Sequence, residues 1–240
     1  TREHVYEHAH VSLHFFEVSA WRGEIHDRVH SALSWQQADA MDVGPMLPAN
    51  GPILKALRLP RVFGITHAGE IGIDAQLARL DAALASGLRL VQIREPALPE
   101  GPRETFARTV VERCHAAGAL VMVNGAPELA RRVGADGLHL PALSLANAAA
   151  RPDFEWVGAS CHTRADLEKA AGLELDYALL GAVQPTLSHP ERSALGWPAF
   201  TEMIARLPLP VFALGGLGAG DLGAAKTAGA HGVAGIRAFW

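Results

Sequence analysis

The sequence predicts an α/β protein whose main body is a closed (β/α)8 barrel, and three observations carry that prediction. Short apolar runs recur eight times after residue 60, helical segments separate them, and several of those helices stop at a glycine. The strand candidates are 61–66 (RVFGIT), 88–94 (LRLVQIR), 120–124 (LVMVN), 137–140 (GLHL), 156–160 (WVGAS), 177–181 (YALLG), 210–214 (PVFAL) and 232–236 (GVAGI). The helical segments between them are 74–86, 103–117, 126–133, 163–171, 198–206 and 219–228. Ser86-Gly87, Ala117-Gly118, Val133-Gly134 and Ala228-Gly229 put a glycine where a helix ends in a left-handed cap. Strands alternating with helices imply a parallel sheet. Eight such units favour a closed barrel over an open sheet. No helix is predicted after the eighth strand, so the last helix is either absent or replaced, for instance by part of the N-terminal region.

Residues 1–58 have a different texture and read as a small separate α+β segment, with the barrel domain over 61–240. Six of the twelve histidines fall here: His4, His8, His10, His14, His26 and His30. VSLHFFEVSAW reads as a strand and RGEIHDR as a turn with a second short strand. Residues 39–42 read as a loop, and NGPILKAL as a short helix with Asn50 as its N-cap and Pro52 in its first turn. His8, His10 and His14 share strand parity, but no carboxylate or thiol spacing supports a metal site, so they read as a solvated face. The chain starts with Thr1 and reads as a piece of a longer protein.

Composition narrows the function classes. Hydrophobic residues are 49% and charged residues 19%, which suits a large core. A net charge of −4 argues against nucleic-acid polymers and membrane surfaces as partners. No apolar run is long enough to span a bilayer. Cys114 and Cys161 are the only cysteines, outside any C-x-x-C spacing, which fits a reducing cytoplasm and excludes a disulfide scaffold or zinc site.

The predicted strand ends carry the chemistry. Gln92 and Arg94 share one face of the second strand by period two, in an otherwise apolar run. Asn124 ends the third strand, His139 lies near the end of the fourth, and Ser160 ends the fifth with Cys161 and His162 beyond. GAVQPTLSHP follows the sixth, Gly215-Gly216 the seventh, and Ile236-Arg237 the eighth. Carboxyl ends of barrel strands face the active-site mouth, and the loops after strands seven and eight commonly bind phosphate through backbone N–H groups. Arg94 adds a forked donor for a second anionic group. Taken singly, each residue has a plainer reading. A Gly-Gly pair is ordinarily a turn, Arg94 a surface ion-pair partner, His162 a structural histidine and Cys161 a buried inert thiol. Their coincidence at one end of one barrel favours a ligand site.

Residues 61 to about 239 resemble the thiamine phosphate synthase and TenI (thiazole tautomerase) family of TIM barrels. LVQIRE, LVMVN, GADGLHL, VGASCHT, YALLGAVQPTLSHP, PVFALGGL and AGAHGVAGI carry the resemblance. It implies a phosphorylated thiazole or pyrimidine as ligand. Gln92 and Arg94 would meet pyrophosphate or pyrimidine, and Asn124 matches the Asn of an Asn-Asp pair. Thr186 and Ser188 match the hydroxyls of a P-T-x-T-K motif. Gly215, Gly216, Ile236 and Arg237 match a thiazole-phosphate cradle. Departures matter too. Pro96 and His189 stand where the family has lysines, and Gly125 and Ser144 where it has aspartates that hold Mg²⁺. Ionisation of a pyrophosphate without metal or lysine loses much of its charge stabilisation. The tautomerase branch works without metal, through the histidine of an S-x-H motif that Ser160-Cys161-His162 matches. His162 is then the catalytic candidate, with Ser160 and His189 beside the substrate, no cofactor for the barrel, and a homodimer left open.

Residues 1–58 resemble the C-terminal half of a MutT-type Nudix hydrolase, through VSLHFFEVSAWRGE and LSWQQADAMDVGPMLPANGPILKAL. Asn50 matches the residue that reads the 8-oxoguanine edge in that family. The glutamate-bearing helix that holds Mg²⁺ there is absent from these 240 residues. Three functions remain open. The barrel is a metal-free tautomerase-like enzyme or a divergent synthase; or a longer protein is a hydrolase of 8-oxo-dGTP-type nucleotides with the barrel as accessory; or the barrel binds a phosphorylated ligand without turnover.

Overall fold

A computed structural model describes residues 2–18, 20–29, 32–186 and 193–240. The chain divides into two compact units, Thr1–Leu59 and Pro60–Trp240.

In the first unit, β1 (Arg2–Tyr6) and β2 (Ala9–Leu13) form an antiparallel hairpin around Glu7 and His8. The strand expected over 11–21 therefore stops at Leu13, and the second one in RGEIHDR does not form. The reason is pairing: Leu13 already faces Arg2, the first residue of β1, so residues 14–18 have no strand opposite them. A 3-10 turn, Pro48–Asn50, leads into α1 (Gly51–Leu57). Asn50 holds the N-cap position but makes no side-chain cap bond. Its backbone is already helical, at φ −82° and ψ −22°, whereas a capping side chain works from an extended backbone. Pro52, at the second helical position, also has no N–H to offer it.

The second unit is the predicted barrel. Its parallel strands are β3 (Val62–Ile65), β4 (Leu90–Ile93), β5 (Leu120–Asn124), β6 (Gly137–Leu140), β7 (Trp156–Cys161), β8 (Tyr177–Gly181), β9 (Val211–Leu214) and β10 (Gly232–Gly235). They pair in sequence order, and β10 returns to β3 with Val233 opposite Val62. The helices α2 (Ala68–Ile71), α3 (Ile73–Ala85), α4 (Glu100–Ala116), α5 (Pro127–Val133), α6 (Ala142–Asn147), α7 (Arg164–Gly172), α8 (Gly196–Ile204) and α9 (Leu222–Thr227) lie between them. The short α2 and α6 were not predicted. The helix expected over 219–228 is a 3-10 turn, Ala219–Asp221, followed by α9.

Period two divides each strand between two cores. Val91 and Ile93 belong, with Leu80, Val110, Leu129 and Leu167, to one apolar layer between barrel and helices. Leu90 and Gln92 alternate with them and face the interior. Inside, Phe63, Tyr177 and Phe212 meet edge to face at 5.5–5.9 Å. Small residues make room for these rings: a Cβ on Gly158 would stand 2.1 Å from Tyr177 Cζ. Asp136 and Asp176 pin the register from below, accepting from Val121 N and Val157 N at 2.7 Å. Beyond β10 the chain turns back rather than forming a helix. Trp240 Nε1 donates to Ile65 O at 2.9 Å, and its ring covers the outer face of Gly64.

Candidate functional site

Because all eight barrel strands are parallel, their carboxyl ends form one rim. Asn124 is the last residue of β5, and Gln92 and Ser160 are the last but one of β4 and β7. Arg94 and His162 follow β4 and β7, while Thr186 lies in the loop after β8. Gly215 and Gly216 follow β9, and Ile236 and Arg237 follow β10. The two predicted anion sites, at Arg94 and at Gly215-Gly216, therefore stand on the same end of the barrel. Ser188 and His189 lie outside the described residues. Asn50 belongs to the other unit, where its amide donates to Met46 Sδ at 3.9 Å.

Below the rim lies a polar network in the barrel interior. His139 is 1% exposed, with Nε2 2.8 Å from Ser160 Oγ and Nδ1 3.1 Å from Tyr177 OH. Burial, reinforced by the nearby Arg94 charge, pushes the His139 pKa down to about 3, so the ring is neutral. One nitrogen then donates and the other accepts. Gln92 is equally buried, and its Nε2 has no hydrogen-bond partner among the described residues. A buried amide donor just below the rim needs an acceptor, which a ligand or a bound water can supply. The motif reading did not carry His139 into the site, although GLHL aims it inward with the same parity as Gln92.

His162 stands at the rim itself. Its ring Nδ1 lies 3.4 Å from Gly181 O, and its backbone N–H donates to Asp166 Oδ2 at 2.9 Å. Thr163 caps α7 and closes a reciprocal box with Asp166. Burial works to raise the Asp166 carboxyl, but bonds from His162 N and Thr163, with the His162 charge, outweigh it and hold it below its ordinary value. Cys161 points the other way, and burial pushes its thiol up to about 12, with Asp166 adding to the effect. It is inert at neutral pH.

A third group joins β3, β4 and β10 and adds Thr66, His67, Glu70 and Glu95, none of them predicted from sequence, to Arg94 and Arg237. Glu95 is 5% exposed and accepts from Ala68 N at 2.7 Å and Gly69 N at 2.8 Å. Arg94 N donates to Thr66 Oγ1 at 3.0 Å. Arg237 Nη2 donates to Glu70 Oε2 at 2.8 Å. His67, between them, is buried; desolvation lowers its pKa, with Glu70, Arg237, Glu95 and Arg79 making smaller and opposing contributions.

Fold and rim define a (β/α)8-barrel protein with a polar mouth at the carboxyl ends of its strands. The chain belongs to the thiamine monophosphate synthase family, whose model matches residues 62–239. It is 37% identical to the thiamine-phosphate synthase of Thioalkalivibrio sulfidiphilus over 183 residues, covering 74% of this chain and 86% of that one. It is 39% identical to that of Chromobacterium violaceum over 181 residues, covering 73% and 87%. A solved thiamine phosphate pyrophosphorylase from Pyrococcus furiosus superposes with a TM-score of 0.62 at 21% identity, over 73% of this chain and 85% of that one, a likeness of fold.

The Mg²⁺ that the family resemblance implies for synthase chemistry does not fit the residues present. Gly125 has no ligating side chain; its φ is +66°, and a Cβ there would lie 3.0 Å from Pro141 Cγ. Ser144 is exposed on α6. Glu95, Asp166 and Glu70 already hold the partners described above. Among the described residues, no group of three or more His, Cys, Asp or Glu could hold a metal ion, and no helix is long and apolar enough to cross a membrane.

Proposed function

We propose that the barrel binds a phosphorylated thiazole at this rim and moves a proton on it without a divalent cation, with His162 as acid and base. The observation that carries the reading is His162 itself. If Nδ1–H donates to Gly181 O, the Nε2 lone pair is left to take a proton from the ligand ring and return it to a neighbouring position. Such a tautomerisation needs no leaving group, so the missing carboxylates and lysines do not impede it. In this reading the amides at Gly215, Gly216 and Ile236, with Arg237, hold the phosphate. Arg94 and Asn124 hold a second polar substituent, and Gln92, Ser160 and Thr186, with Ser188 and His189, orient the ring.

The test is binding of thiazole phosphate and of its carboxylate, with and without Mg²⁺, followed by a tautomerisation assay of the protein and of His162→Ala. Mg²⁺-independent binding with turnover lost in the variant supports the reading. Binding without turnover leaves a ligand-sensing barrel. Turnover only with a pyrimidine pyrophosphate and Mg²⁺ replaces it with a divergent synthase.

A second reading concerns residues 1–58 as part of a Nudix-type hydrolase, with Asn50 reading an 8-oxoguanine edge. What favours it is the exposure of Phe16, Val29 and Trp35, at 84%, 91% and 78%, an apolar set that suits a unit packing on further protein. Cleavage of a nucleotide diphosphate by that mechanism would also require Mg²⁺ and the glutamate helix, which these residues lack. Titration of 8-oxo-dGTP into the protein and into Asn50→Ala tests the base-reading role; equal affinities remove it.

A further inference from the structure

We propose that Glu95 is a positioning residue that sets Arg237, across the barrel seam, through the short helix α2. This rests on the reading of Arg237 as a phosphate contact. Glu95 extends from the end of β4 and is nearly sealed from solvent. Its two oxygens take the first two N–H groups of α2, at 2.7 and 2.8 Å. Those amides have no intrahelical partner, so the carboxylate fixes where this single turn sits. Gly69 lets it sit close: a Cβ there would meet Ala97 Cβ at 3.2 Å and Glu95 Oε2 at 3.5 Å. The next residue, Glu70, reaches over to Arg237. A buried carboxylate just after β4 thus governs a guanidinium after β10, with β3 between.

The Glu70–Arg237 pair is half exposed, at 56% and 43%, so it contributes little to stability and acts by orientation. The experiment is a double-mutant cycle in the full chain, with inorganic phosphate as the probe and its Kd as the readout. Arg237→Ala weakens phosphate binding. Glu95→Gln, which sets an amide NH₂ against a backbone N–H, weakens it by about threefold to fivefold, the size of one exposed ion pair. In the Arg237→Ala background Glu95→Gln has no further effect on Kd, while its effect on melting temperature persists. Equal weakening in both backgrounds, or no weakening by Glu95→Gln in the parent, overturns the proposal and leaves the phosphate reading intact. No effect of Arg237→Ala overturns both. Should Glu95→Gln fail to fold, Glu95→Asp, which keeps the charge but withdraws the oxygens from the two amides of α2, replaces it in the same cycle, with the same outcomes.

Discussion

His139 Nε2 stands 2.8 Å from Ser160 Oγ, on adjacent strands β6 and β7, inside the barrel and just below its open rim. The contact joins a base held neutral by burial to the serine of the S-x-H motif, and its effects extend to stability.

The folded-state pKa of His139 is about 3, against 6.5 for the free side chain. Between these values the unfolded chain binds a proton that the folded one does not, so stability rises with pH and is lost as pH falls below about 6.5. The contribution approaches about 1.4 kcal/mol per pH unit. The lowered pKa of His67 acts with the same sign in this range, and that of Asp166 only as pH falls toward and below 3.8. Urea unfolding at pH 7, 6 and 5 measures the slope, and His139→Gln flattens it by one proton.

Gly125 is held by conformation and by space. Its φ of +66° is left-handed, a region that even Asp enters at a cost, and a new Cβ would lie 3.0 Å from Pro141 Cγ. Gly125→Asp therefore destabilises the fold by about 1–2 kcal/mol for the left-handed backbone alone, and by more with the Pro141 contact. Pro141→Ala in the same chain recovers the contact part. Paired urea melts of the single and double variants separate the two.

Gly215 makes a related prediction about the rim. Its φ is +100°, and a Cβ would fall 2.7 Å from Ala182 Cα, a backbone atom that cannot rotate away. Gly215→Ala loses roughly 2–3 kcal/mol of stability through strain and overpacking. The loss is the same with and without phosphate in the buffer. A loss seen only with phosphate would mean that the glycine is required by ligand alone.

Trp240 closes the outer face of the seam. Trp240→Ala removes the bond to Ile65 O and the ring over Gly64, and lowers stability by about 3 kcal/mol. Trp240→Phe keeps most of the packing and loses roughly 1 kcal/mol for the hydrogen bond. Thermal melts of the two variants distinguish packing from bonding.

The barrel was legible because each strand is a compact apolar run and helices end where glycine allows a left-handed turn, as at Gly134 with φ +69°. The turns α2 and α6, four and six residues long, were not legible, since neither is long enough to show an apolar stripe. β1 went unseen because REHVY has no pattern of its own and depends on β2 for pairing. Gln92 could be picked out by parity, whereas Arg94, expected on the same strand face, is exposed beyond the end of β4. His139 could not be given its place without knowing that Ser160 and Tyr177 come to meet it. Glu95 was hidden for the same reason, since its partners lie 26 and 27 positions away.

The seam between β3 and β10 has a consequence for assembly. Arg237, after β10, reaches Glu70, after β3, only when the last strand docks on the first, a contact between distant parts of the chain that carries a large loop-closure entropy and forms slowly. An incomplete ring, however well its helices have formed, lacks the Glu70–Arg237 pair. In a refolding time course, competence to capture an anion should therefore emerge with the slowest phase, after most of the circular dichroism signal has returned.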